Sequence, residues 1–111
     1  MPTTFDPTTG SLITLAQAQT MVADWITLQG AMSITINDAN PKAIAFGKDK
    51  IQTILDQSGC EGIRIYNGYG QSKRNMVLVG IDGDSNDMTS GNILDLGTPC
   101  PSYCAPTTSI G

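Results

Sequence analysis

The chain has no histidine in its 111 residues. That removes Ser-His and Cys-His nucleophile pairs, histidine metal ligands and the commonest general base. Charge is scarce too. Only 14% of residues are Asp, Glu, Lys or Arg, where about a quarter is usual in a soluble domain. The six basic residues, Lys42, Lys48, Lys50, Arg64, Lys73 and Arg74, form no long run, and the net charge is −4. Counterion release from phosphates needs a clustered basic set, so no nucleic-acid partner is expected. No apolar stretch approaches the ~20 residues of a membrane span. Phosphate loops are missing as well: "GYG" and "GIDGD" are glycine pairs outside a strand–loop–helix context. The start "MPTTFDPTTG" has neither a basic n-region nor an apolar core. A cytoplasmic location is therefore expected, with release by a signal-independent route left open.

What fills the gap is neutral and polar: Thr, Ser, Asn, Gln and Gly. With 40% hydrophobic residues, a chain of this length can build one compact core. A weakly charged surface suits contact with copies of itself, because few charges must be desolvated on association.

The pattern of elements is readable in outline. Residues 1–13 read as an extended arm, broken by Pro7 and Gly10. Thr14 followed by Gln17 is a capping-box signature. Leu15, Ala18, Val22, Trp25 and Ile26 then keep helical spacing, and Gly30 is placed to end the helix in a left-handed conformation. The spacing predicts a helix over 15–29. "SITIN" at 33–37 and "AIAF" at 43–46 read as short strands. Ile51, Ile54 and Leu55 share a face, with Asp49 in the first turn and Gly59 as a stop, which predicts a helix over 48–58. "GIRIYNGYG" at 62–70 alternates, with Ile63 and Ile65 on one side and Arg64 and Tyr66 on the other. "GYGQSKRN" reads as a loop, and "MVLVGID" at 76–82 as a central strand antiparallel to the first. "ILDL" at 93–96 reads as a last strand. The expected fold is α+β: a small antiparallel sheet with two helices on one face. One domain over 14–104 would carry the arm and a 105–111 tail.

At "GIRIYNGYG", "MVLVGIDGDSNDM" and "ILDLGTPCPSYC" the chain resembles a family of small bacterial proteins, frequent in Bacteroidota. Those share a GIRIY-type strand, a VLVG-D strand and a Cys/Pro-rich end. The resemblance spans roughly residues 44–104. It implies the α+β fold and carries over no functional residue, because the family has no established activity.

Three constellations could carry chemistry. In "DGDSND", Asp82, Asp84, Asn86 and Asp87 offer oxygens on a tight loop, as calcium prefers. An EF-hand is excluded, because Asp87 stands where glycine is needed and Ile93 where glutamate is needed. An open calcium loop and a plain polar turn after a strand are the two remaining readings, and Asx-turns account for the pattern more simply. No other cofactor is implied. The cysteines are Cys60, Cys100 and Cys104. "CPSYC" allows two thiols, a Cys100–Cys104 disulfide in a Pro-rich turn, or a zinc site lacking ligands, in that order of preference. Arg64, Tyr66, Val77 and Val79 would share the sheet face that the helices leave open, a mixture suited to an interface.

These readings converge on a non-enzymatic domain that associates with itself, as an oligomer or a repeating assembly. The arm and the tail would then lie on neighbouring subunits. The alternative is a monomeric module binding a peptide or calcium through the sheet face or the "DGDSND" loop. A thiol enzyme using Cys100 and Cys104 is the remaining reading, and nothing basic lies near either cysteine in sequence to activate it.

Overall fold

The structure, a computed structural model, describes residues 4–111. Its elements are α1 (Leu15–Ala31), β1 (Ala43–Ala45), α2 (Lys48–Leu55), β2 (Cys60–Gly70), β3 (Lys73–Asp82), β4 (Ile93–Leu94) and β5 (Thr98–Cys100). The fold is α+β, with small antiparallel sheets. Among the described residues no helix is long and apolar enough to cross a membrane. The chain folds as two compact units, one holding the stretch up to Gly10 and 46–97, the other 11–45 and 98–111. The 14–104 stretch is thus distributed over both.

The first unit is a sheet of order β2-β3-β4 with α2 packed on one face. Cross-strand partners run from Ile63–Gly80 through Arg64–Val79 to Gly70–Lys73. Pairing therefore continues to the tip, and the expected loop is a two-residue turn. Gln71 (φ 54°) and Ser72 (φ 62°) both take left-handed backbone, the geometry that matches strand twist in a tight hairpin. Asn-Gly is the usual signal for such a turn, and its absence hid the turn in the sequence.

Side chains alternate across β3, so Leu78 and Gly80 face α2 while Val79 and Ile81 face the other way. Ile54 of α2 is 1% exposed and anchors the helix on this sheet. Gly80 makes room for the segment after α2 and for Met88: a Cβ there would sit 3.0 Å from Gln57 Nε2 and 3.1 Å from the sulfurs of Cys60 and Met88. Helix α2 ends at Leu55, short of residue 58, and Gly59 (φ 83°) turns the chain into β2.

The second unit contains α1 and the two-stranded sheet β1-β5. The capping box forms as the sequence predicts. Thr14 Oγ1 accepts from Gln17 N–H (3.1 Å), and Gln17 Oε1 accepts from Thr14 N–H (2.9 Å). The helix does not stop at Gly30. It runs to Ala31, and Ser33 (φ 60°) is the left-handed residue. The strand expected at 33–37 is absent, because Asn37 builds a turn instead. Its side-chain oxygen accepts from Ala39 and Asn40 N–H, both at 2.9 Å, and Asn37 and Asn40 exchange backbone bonds of 3.1 Å. β1 pairs with β5 through Ala43–Cys100, Ile44–Pro99 and Ala45–Thr98.

Phe5 and the C-terminal tail each make contacts within their own unit. Phe5 N–H donates to Gly83 O (3.0 Å), and the Phe5 ring lies over Gly62, where a Cβ would come within 2.6 Å of it. In the tail, Gln19 Nε2 donates to Ser109 O (3.1 Å) and Gly111 packs on Val22.

Candidate functional site

The polar cluster of the first unit is built by the chain's return after β3. Asp82 ends the strand and closes the turn on itself. Its Oδ1 accepts from the N–H groups of Asp84 and Asn86, both at 2.9 Å. Its own N–H donates to Asn86 O (3.0 Å), and Ser85 (φ 68°) supplies the left-handed residue. This is an Asx-turn, which Asp and Asn make because a short side-chain oxygen can stand in for a backbone carbonyl. The chain then runs back beside β3. Asp87 pairs with Ile81, and Met88 N–H donates to Gly80 O (2.8 Å).

That register decides where Asp87 points. Directly paired residues share a face, and Ile81 shares its face with Gly62, Arg64 and Val79. Asp87 is thereby laid on the Arg64–Tyr66 side. Arg64 Nη1 forms an ion pair with Asp87 Oδ1 and reaches Ser85 O at 3.3 Å. The Tyr66 hydroxyl donates to Asp87 Oδ2. Both carboxylate oxygens are thus used.

The titration of the three groups follows. Hydrogen bonds from Tyr66 and then Arg64 hold the Asp87 carboxyl below the ordinary aspartate value. The bond to Asp87 holds the Arg64 guanidinium more firmly protonated and pushes the Tyr66 phenol above its ordinary value. An ionised Asp87 favours the proton-bearing form of each partner.

A calcium ion does not suit this arrangement. Asp82 Oδ1 caps the turn and Asp87 is spent on Arg64 and Tyr66, while calcium asks for six or more converging oxygens. Among the described residues no group of three or more Asp, Glu, Cys or His gathers as a ligand set. Cys100 and Cys104 form a disulfide with Cα atoms 4.7 Å apart, so the ranking that put free thiols first is corrected. The Pro-rich turn is what allows the bond: Tyr103 N–H donates to Pro99 O (2.8 Å) and folds the segment back within bonding reach. Cys60 stays a thiol, half-buried, donating to Gly62 O at 3.2 Å.

The four residues expected to form an open face are Arg64, Tyr66, Val77 and Val79. They do share a face, since Arg64 pairs with Val79 and Tyr66 with Val77. The face is partly covered at this end. Val79 is buried, and Arg64 and Tyr66 are both tied to Asp87. Two residues escaped the sequence reading, Phe5 and Asp87 as an ion-pair partner, because only the folded register brings them to this face.

No family model, curated protein or solved structure matches the chain.

Proposed function

We propose that this is a non-enzymatic α+β protein whose role is to associate with copies of itself. The observation that carries the reading is on α1. Met21 and Leu28 lie exposed along one side of a helix whose only charged residue is Asp24, and the exposed C-cap Met32 extends the row. Spacings of seven and eleven residues put these side chains in one stripe about 16 Å long. Contiguous apolar surface on a sparsely charged protein favours burial against another protein. The consumed carboxylates and the absence of histidine support the non-enzymatic part of the reading. Family membership in the group frequent in Bacteroidota is part of the same proposal and adds no activity to it.

Native mass spectrometry of fresh protein, repeated over a hundredfold concentration range, tests the reading. Multiples of the 11.7 kDa chain that grow with concentration are expected. A monomer throughout would overturn it.

A second reading, a monomeric binding module for a small apolar or peptide ligand, is favoured by one cavity. The second unit holds a hollow of about 410 Å³ lined by Val22, Ile44, Tyr103, Ile110 and the disulfide. That is within the size range of small-molecule sites. Saturable uptake of an apolar fluorescent dye by the folded monomer, lost in Ile44→Asp, would support it. A dye that binds both proteins equally would remove it.

A further inference from the structure

We infer that β2 is the self-association surface: its outer edge pairs antiparallel with β2 of a second copy about a two-fold axis at Ile65, joining two three-stranded sheets into one of six. This rests on the self-association reading but places the interface on the β2 edge rather than on the α1 stripe, and the edge variants below separate the two.

The edge is open. In the order β2-β3-β4, β2 has a neighbour on one side only. Among the described residues, positions 61–69 make no backbone hydrogen bond except with β3, apart from Gly62 O, which accepts from the Cys60 thiol. The backbone groups that face outward can be identified. Gly80 O accepts from Met88 N–H, so Gly80 turns its polar groups away from β2. Its partner Ile63 must then turn its own away from β3, and alternation assigns Ile65, Asn67 and Tyr69 to the same outer edge. At 11 residues, β2 is about 37 Å of strand.

The edge also lacks the features that usually guard such strands. Residues 60–70 contain no lysine and no proline, and their one bulge and one acidic residue, Glu61, lie at the Cys60–Gly62 end. Arg64, the one basic residue, is neutralised by Asp87.

The occupant is a second copy because the strand is complementary to itself. Full-length antiparallel pairing of residues 60–70 with their own copy must centre on residue 65. Ile65 stands there, 59% exposed at mid-strand. The register sets Ile65 against Ile65, Arg64 against Tyr66, Ile63 against Asn67 and Glu61 against Tyr69. No like charges are directly opposed, and aliphatic and Arg–Tyr pairs are favourable across strands. Because Ile65 points its backbone outward, the central pair exchanges two hydrogen bonds, and the two Ile63–Asn67 pairs add about four.

The test uses the full chain. Asn67→Pro removes an outward N–H and leaves the β3 ladder intact; Ile65→Lys installs a guard charge and leaves the backbone unchanged. Both should halve the native mass of the wild-type dimer without lowering its melting temperature by more than a few degrees. In a Cys60→Ser background, Ile65→Cys should give a covalent dimer on mild oxidation, because a hydrogen-bonded pair has Cα atoms about 5.5 Å apart. Asn67→Cys should give none, since its two copies would lie about 14 Å apart. An oligomer that survives both edge variants, or that cross-links equally at 65 and 67, overturns the edge and leaves self-association standing. A wild-type monomer at every concentration overturns both.

Discussion

Replacing Ile54 by alanine tests whether the first unit is organised around one α2 anchor. Ile54 is 1% exposed and lies on the face of the sheet that Leu78 and Gly80 share. The change deletes three carbons, worth about 2.4 kcal/mol at ~0.8 kcal/mol each. A cavity term adds to it, up to about 2 kcal/mol at ~24 cal/mol per Å³ if the roughly 80 Å³ vacated does not collapse. Partial collapse brings the expected loss to about 3–4 kcal/mol. A unit of roughly 60 residues has only about 3–9 kcal/mol in total, so the alanine variant should be near the edge of folding. Ile54→Val deletes one carbon and should lose about 1 kcal/mol. The assay is equilibrium urea unfolding followed by far-ultraviolet circular dichroism, with the slope checked for constancy. A graded series of wild type, valine and alanine supports the anchor. An alanine variant within ~0.5 kcal/mol of wild type would refute the reasoning, since only a surface position behaves so.

Three other outcomes are expected. Ser72→Gly should stabilise the hairpin by about 1 kcal/mol, because φ 62° is unfavourable for serine and neutral for glycine; a higher urea midpoint is the measurement. Asp87 has a lowered folded-state pKa, so its contribution is present above the ordinary aspartate value and lost as pH falls through the folded one. Tyr66 is raised, so its contribution is present below the ordinary tyrosine value and lost as pH rises through the folded one. Asp87→Asn should flatten both arms of the melting temperature against pH, and unchanged arms would show the cluster to be idle. Reducing Cys100–Cys104 should cost about 2 kcal/mol for so short a loop, and alkylation should label one thiol before reduction and three after.

What the sequence made legible were features whose cause is local. The α1 start followed from Thr14 and Gln17, two residues three positions apart whose mutual hydrogen bonds need no tertiary partner. The β2–β3 pairing followed from two adjacent alternating runs. The misses are non-local or depend on an unusual backbone. β5 reads "TPC", with a proline that argues against a strand, yet it pairs with β1 more than fifty residues earlier. Gln71-Ser72 carries no glycine to announce its turn. "SITIN" alternates like a strand, but Asn37 prefers bonding its own backbone. At the site, "DGDSND" was legible as an Asx-turn. Its last aspartate was not legible as Arg64's partner, because that follows from Ile81 and Asp87 pairing in register.

The same register separates the two ways in which the sheet could meet a partner. A face is closed by whatever the chain folds over it, and here Phe5 and Asp87 close the Arg64 face at one end. An edge is closed by another strand, by a helix or loop laid over it, or by charge, proline or a bulge along it. Five of the six basic residues lie outside β2: Lys42 before β1, Lys48 and Lys50 in α2, Lys73 and Arg74 in β3. The sixth, Arg64, turns its backbone toward β3 and its guanidinium to Asp87, so it does not defend the outer edge. The four outward positions 63, 65, 67 and 69 hold Ile, Ile, Asn and Tyr, all uncharged. A monomer has reason to interrupt such a row, since an unguarded strand of this length recruits others. A protein that pairs with its own copy has reason to leave it uncharged, and the scarcity of charge in the whole chain becomes, at this edge, a condition for pairing.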